Sequence, residues 1–197
     1  MAKGVTNILI VGVGGQGTLL TSRIIAQVAV QMGFDVKVSE VHGMAQRGGS
    51  VVSQVRFGEK VYSPIIKKGD ADVLLAFEKL EAARYLEYLQ RDGIIIVNND
   101  RIDPGPVMSG EMKYPEKLEE KIARLVPRTY VINATELAGE CGSVRAANVV
   151  LVGLLGALLH IDPEVMESAV KEVVPEKALD VNLKALQAGQ NFTVKAG

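Results

Sequence analysis

The chain has 197 residues, 48% of them hydrophobic, and a formal net charge of −1 at pH 7, enough apolar material to bury one good core. Its 22 Lys and Arg are matched by 23 Asp and Glu and Trp is absent, which argues against a basic stripe or aromatic platform for nucleic acid. Cys141, the single cysteine, excludes both an internal disulfide and a four-thiolate iron–sulfur cluster on this chain, so any redox metal must be held elsewhere.

Six residues precede the first apolar run, too few for a secretory signal, and a cytoplasmic location is expected. Residues 7–11 (NILIV) read as a buried strand, 12–17 (GVGGQG) as a glycine turn, and 18–26 as an amphipathic helix. A second strand is expected over 35–39 and a third over 50–57, with a turn at 58–64. Strands at 73–77, 93–97 and 129–133 alternate with helices at 79–90 and 116–125, the pattern of a doubly wound sheet. Residues 100–113 break periodicity with Pro104, Gly105, Pro106 and Gly110 and read as a hairpin or loop. Cys141 lies in a glycine-flanked bend without a catalytic partner at an obvious spacing, as expected of a free structural thiol.

The longest apolar run, 146–159, holds 14 residues and includes Asn148, against about 20 needed to span a bilayer, so a core or interface helix is expected. His160 follows it as a C-terminal cap. Helices are expected over 163–174 and 176–188, with Pro163 and Pro175 at their ends. The whole is expected to be one α/β domain over 1–197, a doubly wound, mostly parallel Rossmann-like sheet with helices on both faces and a helical C-terminal part.

Two segments concentrate the chemistry. Gly12, Gly14 and Gly17 satisfy the G-x-G-x-x-G dinucleotide fingerprint, and Glu40 ends the next strand about where a ribose-binding acid is expected. Taken alone this indicates NAD. The alternative is that the glycines serve close strand-to-helix packing, because Gly15 and Gln16 fill the variable positions and Glu40 runs at once into a charged loop.

That loop, Ser39-Glu40-Val41-His42-Gly43-Met44-Ala45-Gln46-Arg47-Gly48-Gly49-Ser50, mixes acid, imidazole, amide and guanidinium side chains with glycines. His42 admits a role as base or carboxylate contact, or local hydrogen bonding alone. Arg47 with Gln46 is suited to gripping an anion or a partner, Gly48 and Gly49 clearing the approach; internal pairing of Arg47 with Glu40 is the other reading. His42 and His160 lie far apart with no acid cluster between them, so no metal site is expected.

Together, the glycine turn and the loop, followed by Val51-Val52-Ser53-Gln54-Val55-Arg56-Phe57-Gly58, resemble the gamma-type subunits of 2-oxoacid:ferredoxin oxidoreductases, within them the small subunits of the indolepyruvate type. The likeness runs on through ADVLLAFE (71–78), NATE (133–136) and ANVVLVG (147–153). It implies oxidative decarboxylation of an aryl pyruvate to an acyl coenzyme A (CoA). Thiamine diphosphate and the iron–sulfur clusters would sit on a large partner subunit, with ferredoxin as electron acceptor. This chain would be a cofactor-free, non-catalytic piece serving assembly, its glycine turn and loop facing the partner or the CoA path. Nucleic acid and membrane are not expected partners. The alternatives are a gamma subunit acting on pyruvate or branched-chain oxoacids, and a free-standing NAD(P) dehydrogenase, against which stands the lack of a second, substrate-binding domain.

Overall fold

The computed structural model describes residues 4–42 and 48–192. Six strands, β1 (Thr6–Val13), β2 (Asp35–His42), β3 (Ser50–Gly58), β4 (Ala71–Ala76), β5 (Leu89–Asn98) and β6 (Thr129–Ile132), form one sheet in the order β2-β3-β1-β4-β5-β6. β1, β4, β5 and β6 are successive parallel neighbours, whereas β3 pairs antiparallel with both β1 and β2. The mostly parallel sheet expected from the alternation is present, with β3 alone running against the rest.

Eight helices accompany these strands among the described residues: α1 (Thr18–Gln31), α2 (Lys79–Arg84), α3 (Gly105–Met108), α4 (Leu118–Leu125), α5 (Ala134–Glu140), α6 (Ala147–Leu158), α7 (Pro163–Val173) and α8 (Leu179–Gln190). Period-two alternation divides the sheet's side chains between two cores. Ile8, Ile10, Val73, Leu75, Ile94 and Ile96 face α1, α5, α6, α7 and α8, while Leu9, Val11, Leu74, Ala76, Ile95 and Val97 face α2 and α4. Because the central parts of β1, β4 and β5 are covered on both sides, residues 8–11, 73–76 and 94–97 read as unbroken apolar runs. Each fully buried Leu or Ile among them contributes roughly 1.5–3 kcal/mol.

α6 is the most deeply embedded helix, with Asn148 to Gly156 buried without interruption. It is the apolar run at 146–159, and among the described residues no helix is long and apolar enough to cross a membrane. It packs on α8 at two glycines. A Cβ on Gly153 would lie 2.2 Å from the Leu186 carbonyl oxygen, and one on Gly189 would lie 2.0 Å from that of Val150. The backbones touch there, and no side chain can intervene. His160 closes α6 through its backbone, adopting φ 54° with its N–H on the Ala157 carbonyl.

Several boundaries differ from those read off the sequence. The helix expected over 79–90 stops at Arg84; one 3-10 turn at Leu86–Tyr88 follows, and β5 already begins at Leu89. Pairing of Leu89 with Ala71 and a hydrogen bond from Gln90 to Asp72 pull this stretch into the sheet, overriding its helical spacing. β2 runs on to His42, three residues beyond the expected 35–39, because it pairs with β3 as far as Val51. The helix expected from 116 starts at Leu118, after Lys117 in the left-handed region. The last expected helix divides into a 3-10 turn, Glu176–Ala178, and α8. The excursion at 100–113 contains only the short α3.

Candidate functional site

In parallel sheets, ligands bind beyond the carboxyl ends of the strands where the strand order reverses. Here that point lies between β1 and β4, and a cleft of about 420 Å³ opens beside it, within the size range of small-ligand pockets. The glycine turn supplies Gly15, Gln16 and Gly17; α1 supplies Leu20; the β4 and β5 ends supply Phe77, Asn98, Asp100 and Ile102. Thr135 of α5, Val144, Arg145, and Ala147 and Asn148 of α6 complete the lining.

The turn is held by its own glutamine. Gln16 Oε1 accepts the Val13 N–H at 2.8 Å, and Nε2 donates to the Phe77 carbonyl at 3.1 Å. A Cβ on Gly12 would sit 3.0 Å from both Gln16 Oε1 and Phe77 Cβ, pressing on the very side chain that holds the turn. Gly17, at φ 87°, starts α1 with no side-chain cap, and the first turn holds no acid. The N–H groups and positive dipole end of a 14-residue helix are therefore left for an anion. Asn148 packs against this terminus: a Cβ on Gly17 would lie 3.0 Å from its Nδ2. Asn148 is 2% exposed and its Oδ1 has no hydrogen-bond partner among the described residues, a polar atom lacking only a ligand's donor or a water.

The opposite wall is a polar chain. The Asn98 amide donates to Thr135 Oγ1 at 3.2 Å, Thr135 donates to Asp100 Oδ2 at 2.6 Å, and Asn98 Oδ1 caps α5 through the Ala134 N–H. Arg145 stands exposed at the rim, with no carboxylate partner among the described residues. The cleft thus offers a helix N-terminus and a guanidinium to an anion, and the Asn148 oxygen together with an acid to groups that donate.

Of the residues singled out in the sequence, Gly12, Gly14, Gly15, Gln16 and Gly17 converge here. The loop's far end is tied to them, the Gly14 N–H donating to the Gly49 carbonyl at 2.9 Å. Gly48 takes φ 77°, and Ser50 Oγ anchors the returning strand on Glu81 at 2.5 Å. Gln46 and Arg47 lie outside the described residues, as does the His42 side chain; the His42 backbone ends β2 opposite Val51.

Glu40 does not reach the glycine turn as a ribose-binding acid would. In a dinucleotide-binding unit β2 lies beside β1, but here β3 occupies that place, so β2 lies about 9.6 Å from β1 at a strand spacing of about 4.8 Å. Glu40 pairs with Ser53, which pairs with Ile10, and its carboxylate accepts from Ser22 Oγ of α1 at 2.8 Å. The insertion of β3 thus removes the structural basis for reading the fingerprint as NAD.

Asn148, Arg145, Thr135 and Asp100 were not legible as site residues in the sequence. Only Asn148 left a signal, as the sole polar side chain in the run at 146–159 before His160.

The sequence pattern of the pyruvate ferredoxin/flavodoxin oxidoreductase family matches residues 7–192. Indolepyruvate oxidoreductase subunit IorB of Archaeoglobus fulgidus is 47% identical over 193 residues, covering 95% of both chains. The gamma subunit of a keto/oxoacid ferredoxin oxidoreductase from Geobacter sulfurreducens superposes with a TM-score of 0.69 at 26% identity, over 93% of this chain and 95% of that one. A 2-oxoglutarate:ferredoxin oxidoreductase from Magnetococcus marinus, solved with CoA and succinyl-CoA bound, shares the fold at a TM-score of 0.71 and 22% identity. There the likeness covers 95% of this chain but 31% of the longer one. With residues 7–192 matched by the family pattern and 95% of both chains aligned to a relative at 47% identity, the chain belongs to the pyruvate ferredoxin/flavodoxin oxidoreductase family.

Proposed function

We propose that this chain is the small subunit of an indolepyruvate-type 2-oxoacid:ferredoxin oxidoreductase, folded as one gamma-type domain over 1–197, and that its cleft receives CoA. Support for the substrate class is the likeness to the Archaeoglobus subunit over 95% of both chains. The observation that carries the CoA assignment is the meeting of an uncapped α1 terminus, which suits an anion, with the buried, unpartnered Asn148 Oδ1, which suits a donor, at the sheet's switch point. The phosphates would lie on the α1 N–H groups and Arg145, and Asn148 Oδ1 would accept from an N–H or O–H group elsewhere on the same ligand.

The chain does not fit the redox groups the family uses. A four-thiolate cluster needs four cysteines and Cys141 stands alone; among the described residues no three His, Cys, Asp or Glu side chains gather as a metal would require. In this reading a large partner subunit would carry the clusters that pass electrons to ferredoxin and also thiamine diphosphate, which would supply the carbanion-stabilising chemistry of decarboxylation. In the overall reaction the oxoacid loses carbon dioxide, its acyl carbon forms a thioester with CoA, the thiol proton is released, and two electrons reduce ferredoxin. This subunit binds and orients the CoA, takes no bond-making step itself, and functions within a cytoplasmic complex.

The test is calorimetric titration of the chain with CoA, NAD and NADP, joined to kinetics of the complex reconstituted with its large subunit. CoA is expected to bind, and Arg145→Glu to weaken it by about tenfold or more, since a charge-assisted contact is worth about 1.5–3 kcal/mol. NAD and NADP are expected to bind no tighter than inorganic pyrophosphate. Micromolar NAD binding abolished by Glu40→Ala would overturn the proposal in favour of a dehydrogenase. Turnover of a keto acid by this chain alone would overturn the non-catalytic assignment.

A further inference from the structure

From Arg101 to Lys117 the chain makes a 17-residue excursion in which Tyr114 is the one buried side chain. A segment with so little core of its own is held by whatever Tyr114 and its near end touch. The Tyr114 hydroxyl donates to Glu78, a carboxylate only 1% exposed, and the same Oε1 accepts the Ile102 N–H at 3.3 Å. Arg101 lies over the Tyr114 ring, 4.4 Å from its centre. Oε2 of Glu78 caps α2 by accepting from Leu80 and Glu81 at 2.7 and 3.0 Å.

Capping does not need a glutamate. Ser, Thr, Asp and Asn are the preferred residues at such positions. The extra length of Glu78 and its complete burial go with its second set of partners, on the excursion. Burial, and then the hydrogen bond to Glu78, hold the Tyr114 hydroxyl protonated far above the usual phenol range, so it remains a donor at any working pH.

The excursion begins at the cleft. Asp100 and Ile102 line it, as does Phe77, the neighbour of Glu78, whose carbonyl holds Gln16 of the glycine turn. Two consecutive residues at the end of β4 therefore fix both walls: Phe77 the glycine turn, Glu78 the excursion. We propose that Glu78 and Tyr114 are positioning residues, a latch that holds the excursion down so that Ile102 completes the second wall of the cleft beside Asp100, which Thr135 holds. This rests on the assignment of the cleft to CoA and adds the elements that set its shape.

The test uses the reconstituted complex with Glu78→Asp, Tyr114→Phe and the double variant, read by hydrogen exchange of residues 101–117 and by kcat and KM for CoA and for the oxoacid. Aspartate still caps α2 but is one methylene too short to reach Tyr114, so the fold survives while the latch opens. In each variant, exchange over 101–117 is expected to speed up and the KM for CoA to rise, by about tenfold for Tyr114→Phe, which loses one hydrogen bond to a charged group, and by at least as much for Glu78→Asp, which also withdraws from the Ile102 N–H. The kcat at saturating CoA and the KM for the oxoacid should stay within about twofold of wild type. The double variant should be no worse than Glu78→Asp alone, because Tyr114→Phe removes a bond that Glu78→Asp has already lost. Unchanged exchange would overturn the latch. Faster exchange with an unchanged KM for CoA would also overturn it if Arg145→Glu still raises that KM. If Arg145→Glu does not raise it either, the CoA assignment fails and takes the latch with it.

Discussion

Replacing Gly153 by alanine is expected to destabilise the isolated chain by about 3 kcal/mol, the upper part of the range for overpacking a tight core. The added methyl would meet the Leu186 carbonyl oxygen at 2.2 Å and the Gln190 nitrogen at 3.0 Å. Both obstacles are backbone, so no rotamer change relieves them, and α6 would have to lift from α8 along a buried seam. Gly189→Ala should behave alike, its methyl facing the Val150 carbonyl oxygen at 2.0 Å. Gly105→Ala, with nothing within 4 Å, is the control and should stay within about 0.5 kcal/mol. In a chain of this size, thermal melting should show drops of roughly 6–12 °C for the first two, at about 2–4 °C per kcal/mol. A loss indistinguishable from the control would mean that the two helices are not in backbone contact.

Gly17→Ala should damage function as well as stability. Its φ of 87° costs an L-residue about 1–2 kcal/mol, and its methyl would press on the Asn148 amide at 3.0 Å. Gly33→Ala, at φ 80° with open space around it, isolates the strain from the collision. Both variants are expected to melt lower, but only Gly17→Ala should raise the KM for CoA in the reconstituted complex, by about tenfold. Asn148→Ala should raise it comparably, and adding Gly17→Ala to Asn148→Ala should then have little further effect on that KM. An equal KM for Gly17→Ala and Gly33→Ala would show that Asn148 does not touch the ligand.

The glycine turn could be read from sequence because its chemistry is local: a strand, a turn that needs positive φ at Gly15 and Gly17, and a helix. What Glu40 does could not, because its meaning depends on which strand lies beside β1. A hairpin that returns β3 into that place is set by pairing over all eight residues of β1, and no short window carries this. The same holds for Asn148 and Gly17, which meet across more than a hundred residues of chain. The helix expected over 79–90 failed for a related reason: the Leu-rich spacing at 86–89 is helical in isolation, yet Ala71 and Asp72 of the neighbouring strand recruit Leu89 and Gln90. Tyr114 gave no signal at all, an isolated aromatic in a stretch without periodicity whose partner lies 36 residues upstream.

Because β3 takes the inner place, β2 becomes, among the described residues, an eight-residue border of the sheet with no further strand on its outer side. Val38 and Val41 stand 40% and 56% exposed along it, so the border is sticky as well as hydrogen-bond hungry, the combination that lets one chain template another. Asp35 and Lys37, paired at 2.6 Å on the same strand, place opposite charges at its start, and a second molecule adding there would have to strip water from both. The hairpin that removed the dinucleotide geometry thereby also set an edge strand at the sheet's border, and the paired charges at its start work against strand-to-strand self-association there.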